Sequence, residues 1–428
     1  MTDPQPATTP GPAPGAGGAF GHRAVVWIAL ACVAAIALVI AFSPEARTWD
    51  EIAYLWNLDR LRELGLGREF LLTMHCPAGP LHQVVHLLAS PLTAGEPPGA
   101  RLVSLAALVV TVGGTAWLLR RRGQPAPVAA AALLLAYPAV WTESGTALTT
   151  MPAMAFFALA LALLVPSLAA PAHGTAARGA LRDAIAGGLL MSLAILGRQP
   201  LLVTLAALVV FARRDATTRW RVAAAVAAGL VLPLPVFATW GGLTPIHGIH
   251  DSMRDELYPT NVLVGGAYAG AFIALVAPGW YAGRARVAAA FAAGGVALNL
   301  LLSIRDWLPA QTITLRVVPE ALQPHVASVC GGAVLGFGAL VLFELAHRAW
   351  QRRDDPAAVY LALSTLLLLG VCARMSNRFS SRYVIPVLPL LLVAVAPHVH
   401  RSPVWRCAAL VFGAVLGLLS LLSHLGMF

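Results

Sequence analysis

Residues 24–42 read AVVWIALACVAAIALVIAF, without one charge, and six residues later the chain reads Thr48-Trp49-Asp50-Glu51-Ile52-Ala53-Tyr54. A charge-free run of this length can cross a hydrocarbon core, which takes roughly 20 residues. Two adjacent carboxylates at the mouth of such a helix repel each other. Each then needs a cation, a hydrogen-bond donor or a bound substrate to stay ionised, and one pKa is expected to rise. A general base or a leaving-group anchor is made this way. Asp50 and Glu51 also fit a solvated loop or the N-cap of the helix that follows.

Composition places the chain in a membrane. Mean hydropathy is +0.75; 58% of the residues are hydrophobic and 11% charged, which excludes an ordinary soluble enzyme. A formal charge of +10 would suit nucleic acid, but the basic residues are scattered over short loops between apolar runs, where the positive-inside rule puts them. All 29 basic residues are Arg, so no amine is available for Schiff-base chemistry. Cys32, Cys76, Cys330, Cys372 and Cys407 lack CxxC spacing and predict neither a zinc site nor a disulfide framework. Residues 1–23, rich in Pro, Gly, Ala and Thr, read as a disordered cytoplasmic tail ahead of a polytopic membrane domain over 24–428.

About thirteen apolar segments follow one another, near 24–42, 101–119, 125–140, 148–168, 184–197, 200–211, 222–240, 262–281, 287–303, 328–346, 357–373, 384–397 and 407–424. Arginine groups at 120–122, 178–182, 213–221, 284–286, 348–353 and 401–406 fall on alternate connections. That side is assigned to the cytoplasm, with the N-terminus inside and the C-terminus outside, in a bacterial plasma membrane. The other side receives loops 43–100, 241–261, 304–327 and 374–383. In the first, Ile52, Leu55, Leu58 and Leu61 form one stripe of a predicted surface helix over Glu51–Leu64. A second helix over 80–89 follows the break Pro77-Ala78-Gly79-Pro80. The loops 241–261 and 304–327 carry His247, His250, Asp251, Asp255, Glu256 and Asp306 without an assignable role.

Several charges sit against the topological bias. Arg101 opens the second span, Arg198 lies between two apolar runs, and Arg374, Arg378 and Arg382 crowd just before a span, next to Tyr383. An intramembrane Arg costs roughly 2.5–3.5 kcal/mol on insertion scales and is usually paired or functional. Its five fixed donors match phosphate oxygens. Glu143 adds an acid on the same face, and His75, His82 and His86 flank the second surface helix. His82 and His86, at i and i+4, have no evident third metal ligand, so hydrogen bonding or substrate contact is the preferred reading.

In this order the features resemble the GT-C superfamily of polytopic glycosyltransferases, on the branch of protein O-mannosyltransferases and the lipid A aminoarabinose transferase. The resemblance rests on Asp50-Glu51 with Tyr54, on Cys76-Pro77-Ala78-Gly79-Pro80-Leu81, and on Arg101-Leu102. It continues through Thr142-Glu143-Ser144 to Thr149-Thr150-Met151-Pro152, through Arg198 where a Lys is usual, and through Arg382-Tyr383-Val384-Ile385-Pro386-Val387-Leu388-Pro389. Two features depart from the family pattern: Thr150 stands where an acid is expected, with Glu143 as its substitute, and the chain ends in a span rather than a soluble domain.

The resemblance implies an all-α integral membrane fold and a sugar donor on polyprenyl phosphate, presented to a glycan, lipid or protein acceptor, with no cofactor or metal. It implies Asp50 as general base for an inverting attack, with Glu51 orienting acceptor or sugar hydroxyls. Arg198, Arg378 and Arg382 would bind phosphate, and Tyr54, His75, Arg101, Glu143 and Tyr383 would line the substrate site. Trp49 and Tyr54 fit either sugar stacking or an interfacial aromatic belt. A transporter of lipid-linked or anionic substrates, and a non-catalytic envelope scaffold, are the competing readings.

Overall fold

The computed structural model describes residues 16–48, 50–171, 175–245, 257–282, 284–303, 318–375, 379–399 and 402–427. Trp49, Arg378, Arg401 and the loop residues His247, His250, Asp251, Asp255, Glu256 and Asp306 lie outside them. Every regular element among the described residues is helical. Among the described residues nine helices are long and apolar enough to cross a membrane, which makes this a multi-pass membrane protein. Ala216–Leu230 and Pro233–Trp240 form a tenth, bent by 48°; Pro127–Ala136, Gln199–Arg213 and Thr260–Val276 are apolar but shorter. Each of the thirteen apolar segments therefore becomes helix, while nine or ten of them have spanning length.

In chain order, α1 (Ala16–Ala41) leads into α2 (Glu51–Leu64), α3 (Arg68–Thr73) and α4 (Leu81–Thr93) of the first large loop. Next come α5 (Gly99–Arg121), α6 (Pro127–Ala131), the short α7 (Pro138–Gly145), α8 (Thr150–Ala169) and α9 (Thr175–Gly197). The run continues with α10 (Leu202–Ala206), α11 (Ala216–Leu230), α12 (Pro233–Trp240), α13 (Thr260–Val276), α14 (Gly279–Ala282) and α15 (Ala285–Leu302). It closes with α16 (Gln323–Gln351), α17 (Pro356–Val371), α18 (Leu388–Val395) and α19 (Pro403–His424). The first helix starts inside the stretch read as tail, and the loop expected over 304–327 is already helical from Glu320.

α8 is the most enclosed span and packs between α5 and α9. Its far end shows what the arginine groups do. Arg221 donates to the carbonyls of Ala170 (3.0 Å) and Pro171 (2.8 Å), and Arg214 to that of Leu168 (3.2 Å). A helix end leaves its last carbonyls unpaired, and cationic side chains there also suit the helix dipole. At the same end Asp215 accepts from the Thr218 amide (2.8 Å) and Asp355 from the Ala357 amide (3.0 Å), capping α11 and α17.

Lipid offers no hydrophobic drive between helices, so close crossings depend on small residues. A Cβ added to Gly295 on α15 would lie 2.1 Å from the Gly332 carbonyl oxygen of α16, and one on Gly336 would lie 2.0 Å from that of Phe291. Gly332 and Gly336, four apart, thus let the two backbones touch. Gly336→Leu is expected to force α15 and α16 apart at a cost of about 1–3 kcal/mol or more, read as a lower melting temperature of the purified protein in detergent. An unchanged melting temperature would show that this crossing does not hold the helices.

Candidate active site

The site begins with how α2 starts. Thr48-Trp49-Asp50-Glu51 has the Ser/Thr-x-x-Glu sequence of a capping box, and the acid's half of that motif forms one turn ahead of the helix, whose N-cap is Asp50: Glu51 reaches back to Thr48. The Thr48 amide donates to Glu51 Oε2 (3.0 Å), as does the Thr48 hydroxyl (2.9 Å). Glu51 is thereby turned inward and is fully buried. Arg101, also fully buried at the start of α5, donates through Nε to Glu51 Oε1 (2.9 Å) and through Nη2 to Oε2 (2.7 Å). Its remaining donors reach Ser43 Oγ (2.7 Å) and the carbonyls of Pro44 (2.7 Å) and Ala46 (3.0 Å). All five N–H groups of the guanidinium are used.

Glu51 Oε1 also accepts the Ala147 amide at 2.7 Å, on the link between α7 and α8. Burial alone would raise the Glu51 pKa, but the hydrogen bonds from Arg101 and Ala147, with the Arg101 charge, hold it below the usual carboxylate value. The expected repulsion between the neighbouring acids is offset, because each faces its own cation. Glu51 and Arg101, expected from the sequence to contact substrate, are both fully enclosed with their hydrogen bonds filled and sit behind Asp50.

Asp50 takes the other direction. It occupies the N-cap position in αR conformation without a side-chain cap bond. Its carboxylate, about half exposed, instead pairs with Arg382 Nη1. Arg382 comes from the 3₁₀ turn Ser381–Val387, and its guanidinium carbon lies 5.6 Å from the Tyr383 ring centroid. Its Nε is buried without a partner. Arg198, at the extended residue after α9, reaches the Thr150 hydroxyl, and its Nε is likewise buried without a partner. Tyr54 is buried beside these groups, within electrostatic reach of Arg382, Arg198 and Asp50. Burial lifts its phenol pKa to about 12 against the pull of the two arginines.

Glu143, on α7, is buried with Oε2 unpartnered, and its charge acts on Arg382. Asp50, Tyr54, Glu143, Arg198, Arg382 and Tyr383 therefore gather at one end of the bundle. His75 is exposed and packs edge-on against Trp56, with ring centroids 4.7 Å apart. Arg374 closes its span and is exposed.

The first loop is seated by backbone contact. A Cβ on Gly79 would lie 2.1 Å from the Leu196 carbonyl oxygen, so only glycine lets this loop lie against the end of α9. Gln199 Nε2 donates to the Pro77 carbonyl (2.5 Å), holding the turn that carries Arg198. Behind Tyr54, the His82 and His86 rings lie 4.1 Å apart at a tilt of 39°, and His82 Nε2 meets the Ala147 carbonyl at 3.0 Å. Among the described residues no group of three His, Cys, Asp or Glu is placed to hold a metal ion.

Sequence reasoning missed three participants. Thr48 was visible in the capping-box pattern. Thr150 was noted as a departure, without the Arg198 contact that gives it a role. His424 of α19, within electrostatic reach of Glu143, Glu51, Asp50 and Arg382, had no local signal at all.

No family model matches this sequence, and no curated protein sequence does. Among solved structures, apo ArnT from Cupriavidus metallidurans is 20% identical, with a TM-score of 0.46 over 94% of this chain and 78% of that one. ArnT bound to undecaprenyl phosphate is 16% identical, at a TM-score of 0.49 over 92% and 76%. The archaeal oligosaccharyltransferase AglB from Archaeoglobus fulgidus, in complex with an inhibitory peptide and a dolichol-phosphate, is 15% identical. Its TM-score is 0.49 over 88% of this chain and 50% of AglB, so the chain spans half of that protein.

Glu51→Gln leaves the Arg101 charge buried without its counter-ion, which costs about 3–5 kcal/mol. The variant is expected to accumulate poorly in membranes and to melt well below wild type, whereas Asp50→Asn at the exposed rim accumulates normally. Burial also pulls His86 down to about 4 and His82 well below its ordinary value. For a base whose folded pKa is depressed, the unfolded chain binds more protons between the two pKa values. Stability should therefore fall as pH drops from about 6.5 towards about 4. Melting curves of wild type and His86→Gln across this window check it; an equal fall in both would exclude His86 as the cause.

Proposed function

We propose that the chain is a membrane glycosyltransferase that moves a sugar from a polyprenyl-phosphate donor to an acceptor hydroxyl on the extracytoplasmic face. The observation that carries the reading is the Asp50–Arg382 ion pair at the rim of a site that also gathers Arg198, Glu143 and Tyr54. Two guanidinium groups with unused Nε donors suit a phosphate, since charge-assisted, forked hydrogen bonds match its oxygens. The half-exposed carboxylate beside them suits a base. The solved ArnT and AglB complexes with undecaprenyl phosphate and dolichol-phosphate support a prenyl-phosphate ligand for this reading.

In this mechanism the donor phosphate draws Arg382 from Asp50 and frees the carboxylate. Asp50 takes the proton of the acceptor hydroxyl as its oxygen bonds to the anomeric carbon. The bond from that carbon to the phosphate oxygen breaks, its electron pair leaves with the prenyl phosphate, and the sugar inverts. Arg382 and Arg198 stabilise the growing phosphate charge as preorganised electrostatic clamps do. Glu143 supplies the second acid by accepting a sugar or acceptor hydroxyl at its free Oε2. Glu51 and Arg101 hold Asp50 and the α7–α8 link in place without touching substrate. Because the arginine-rich end is assigned to the cytoplasm of a bacterial plasma membrane, this site opens on the opposite side, with the N-terminus inside and the C-terminus outside.

Removing the base is expected to lower the rate by about 10²–10⁴-fold. The test compares envelope glycans and prenyl-linked sugars in cells making wild type, Asp50→Asn or no protein, with membrane levels measured in parallel. The expected result is normal Asp50→Asn insertion, an acceptor lacking its sugar and an unspent donor pool. If Asp50→Asn matches wild type while the deletion does not, Asp50 is not the base, and transport of a lipid-linked substrate becomes the better reading.

A further inference from the structure

A groove of about 570 Å³ lies at the arginine-rich end, far from the site above, between α1 and the start of α6. His22 and Arg23 form its head; Val26, Trp27, Leu30 and Val128 form its body. Its size is that of a small-ligand pocket. Arg23 is exposed, as are Arg120, Arg121 and Arg122 on the connection that leads into the groove wall at Ala126. Residues 16–41 and 120–131 contain no Asp or Glu; Arg121 pairs with Asp183 of α9 (3.4 Å), while neither wall supplies an acid for Arg23, Arg120 or Arg122. Buried Arg406, on α19, adds positive potential within reach of His22. Trp27 is 69% exposed along the same wall.

A cationic head above an apolar trough at the end of a membrane helix matches one kind of molecule. We infer that this groove binds an anionic phospholipid, its phosphate against Arg23 and His22 and one acyl chain along Trp27, Leu30 and Val128. Two requirements meet in one place. Basic residues near a membrane surface attract anionic lipid by roughly five-fold in affinity each. The apolar lining adds selectivity for a tail, which a free phosphate lacks. The inference is independent of the glycosyltransferase reading, since no group in the groove belongs to that site.

Exposed Trp27 provides a local probe. Purified protein is titrated with brominated phosphatidylglycerol or brominated phosphatidylcholine, and the Trp27 share is obtained by subtracting Trp27→Phe. Phosphatidylglycerol is expected to quench that share at roughly five-fold lower lipid content. Arg23→Ala should remove the preference and Arg23→Lys retain it. Val128→Phe, which fills the trough, should weaken quenching by phosphatidylglycerol, and glycerol phosphate should not relieve it. Equal quenching by both lipids overturns the inference, as does a preference untouched by Arg23→Ala. Relief by glycerol phosphate would mark a headgroup-only anion site and overturn it equally.

Discussion

Glu51 and Arg101 form an ion pair without water contact, and the arrangement of the candidate site hangs on it. Burying two charges is expensive unless the geometry is good and every remaining donor and acceptor is used. Here both conditions are met from two stretches besides α5, which carries Arg101: the Ser43 hydroxyl with the Pro44, Ala46 and Thr48 backbone, and the Ala147 amide between α7 and α8. The pair therefore acts as a junction. It fixes the end of the first loop, the mouth of the second span and the entrance to the most enclosed helix relative to one another. A hydrophobic cluster of the same size would fill the space without fixing these directions.

The same junction explains how two adjacent acids come to differ. Once the capping box has turned Glu51 inward, helical geometry leaves Asp50 at the rim, facing solvent and Arg382. One carboxylate is spent on architecture, and its neighbour stays accessible. Like charges side by side are thus tolerated because each has its own cation, at opposite depths. Gly79 and Gln199 then bring the Arg198 turn against the loop, so the site draws on the chain from Asp50 to Tyr383.

Much of this was legible before any coordinates. Apolar length gave the helices, because lipid leaves few alternatives to a helix whose backbone satisfies itself. The polar motifs named Asp50, Arg198 and Arg382, which the structure brings to one end of the bundle beside Tyr54. What failed had physical causes. The stripe of α2 was drawn through Ile52, which is exposed, because burial follows Glu51, Tyr54, Leu55 and Leu58 instead. An anchored polar residue shifted the face that hydrophobicity alone had set. Arg101 was placed at the substrate by the family resemblance; the saturation of its five donors by Glu51, Ser43, Pro44 and Ala46 is a tertiary fact that no local pattern contains. Helix length was also hard to read, since short apolar helices such as Gln199–Arg213 have the composition of spans without their reach.

The last helix has a further consequence, for biosynthesis. A Cβ on Gly417 would strike the Trp141 ring, one on Gly413 the Ala136 backbone, and Leu421 fills the space left open at Gly145. α19 thus closes against α7, the helix that bears Glu143, and brings His424 towards the same acids. Contacts between such distant parts of a sequence form late, after the intervening chain has been ordered. A ribosome that has delivered the first eighteen helices has made nearly all of the polar groups and none of the finished wall. The wall beside Glu143 is therefore complete only once α19 has packed against α7.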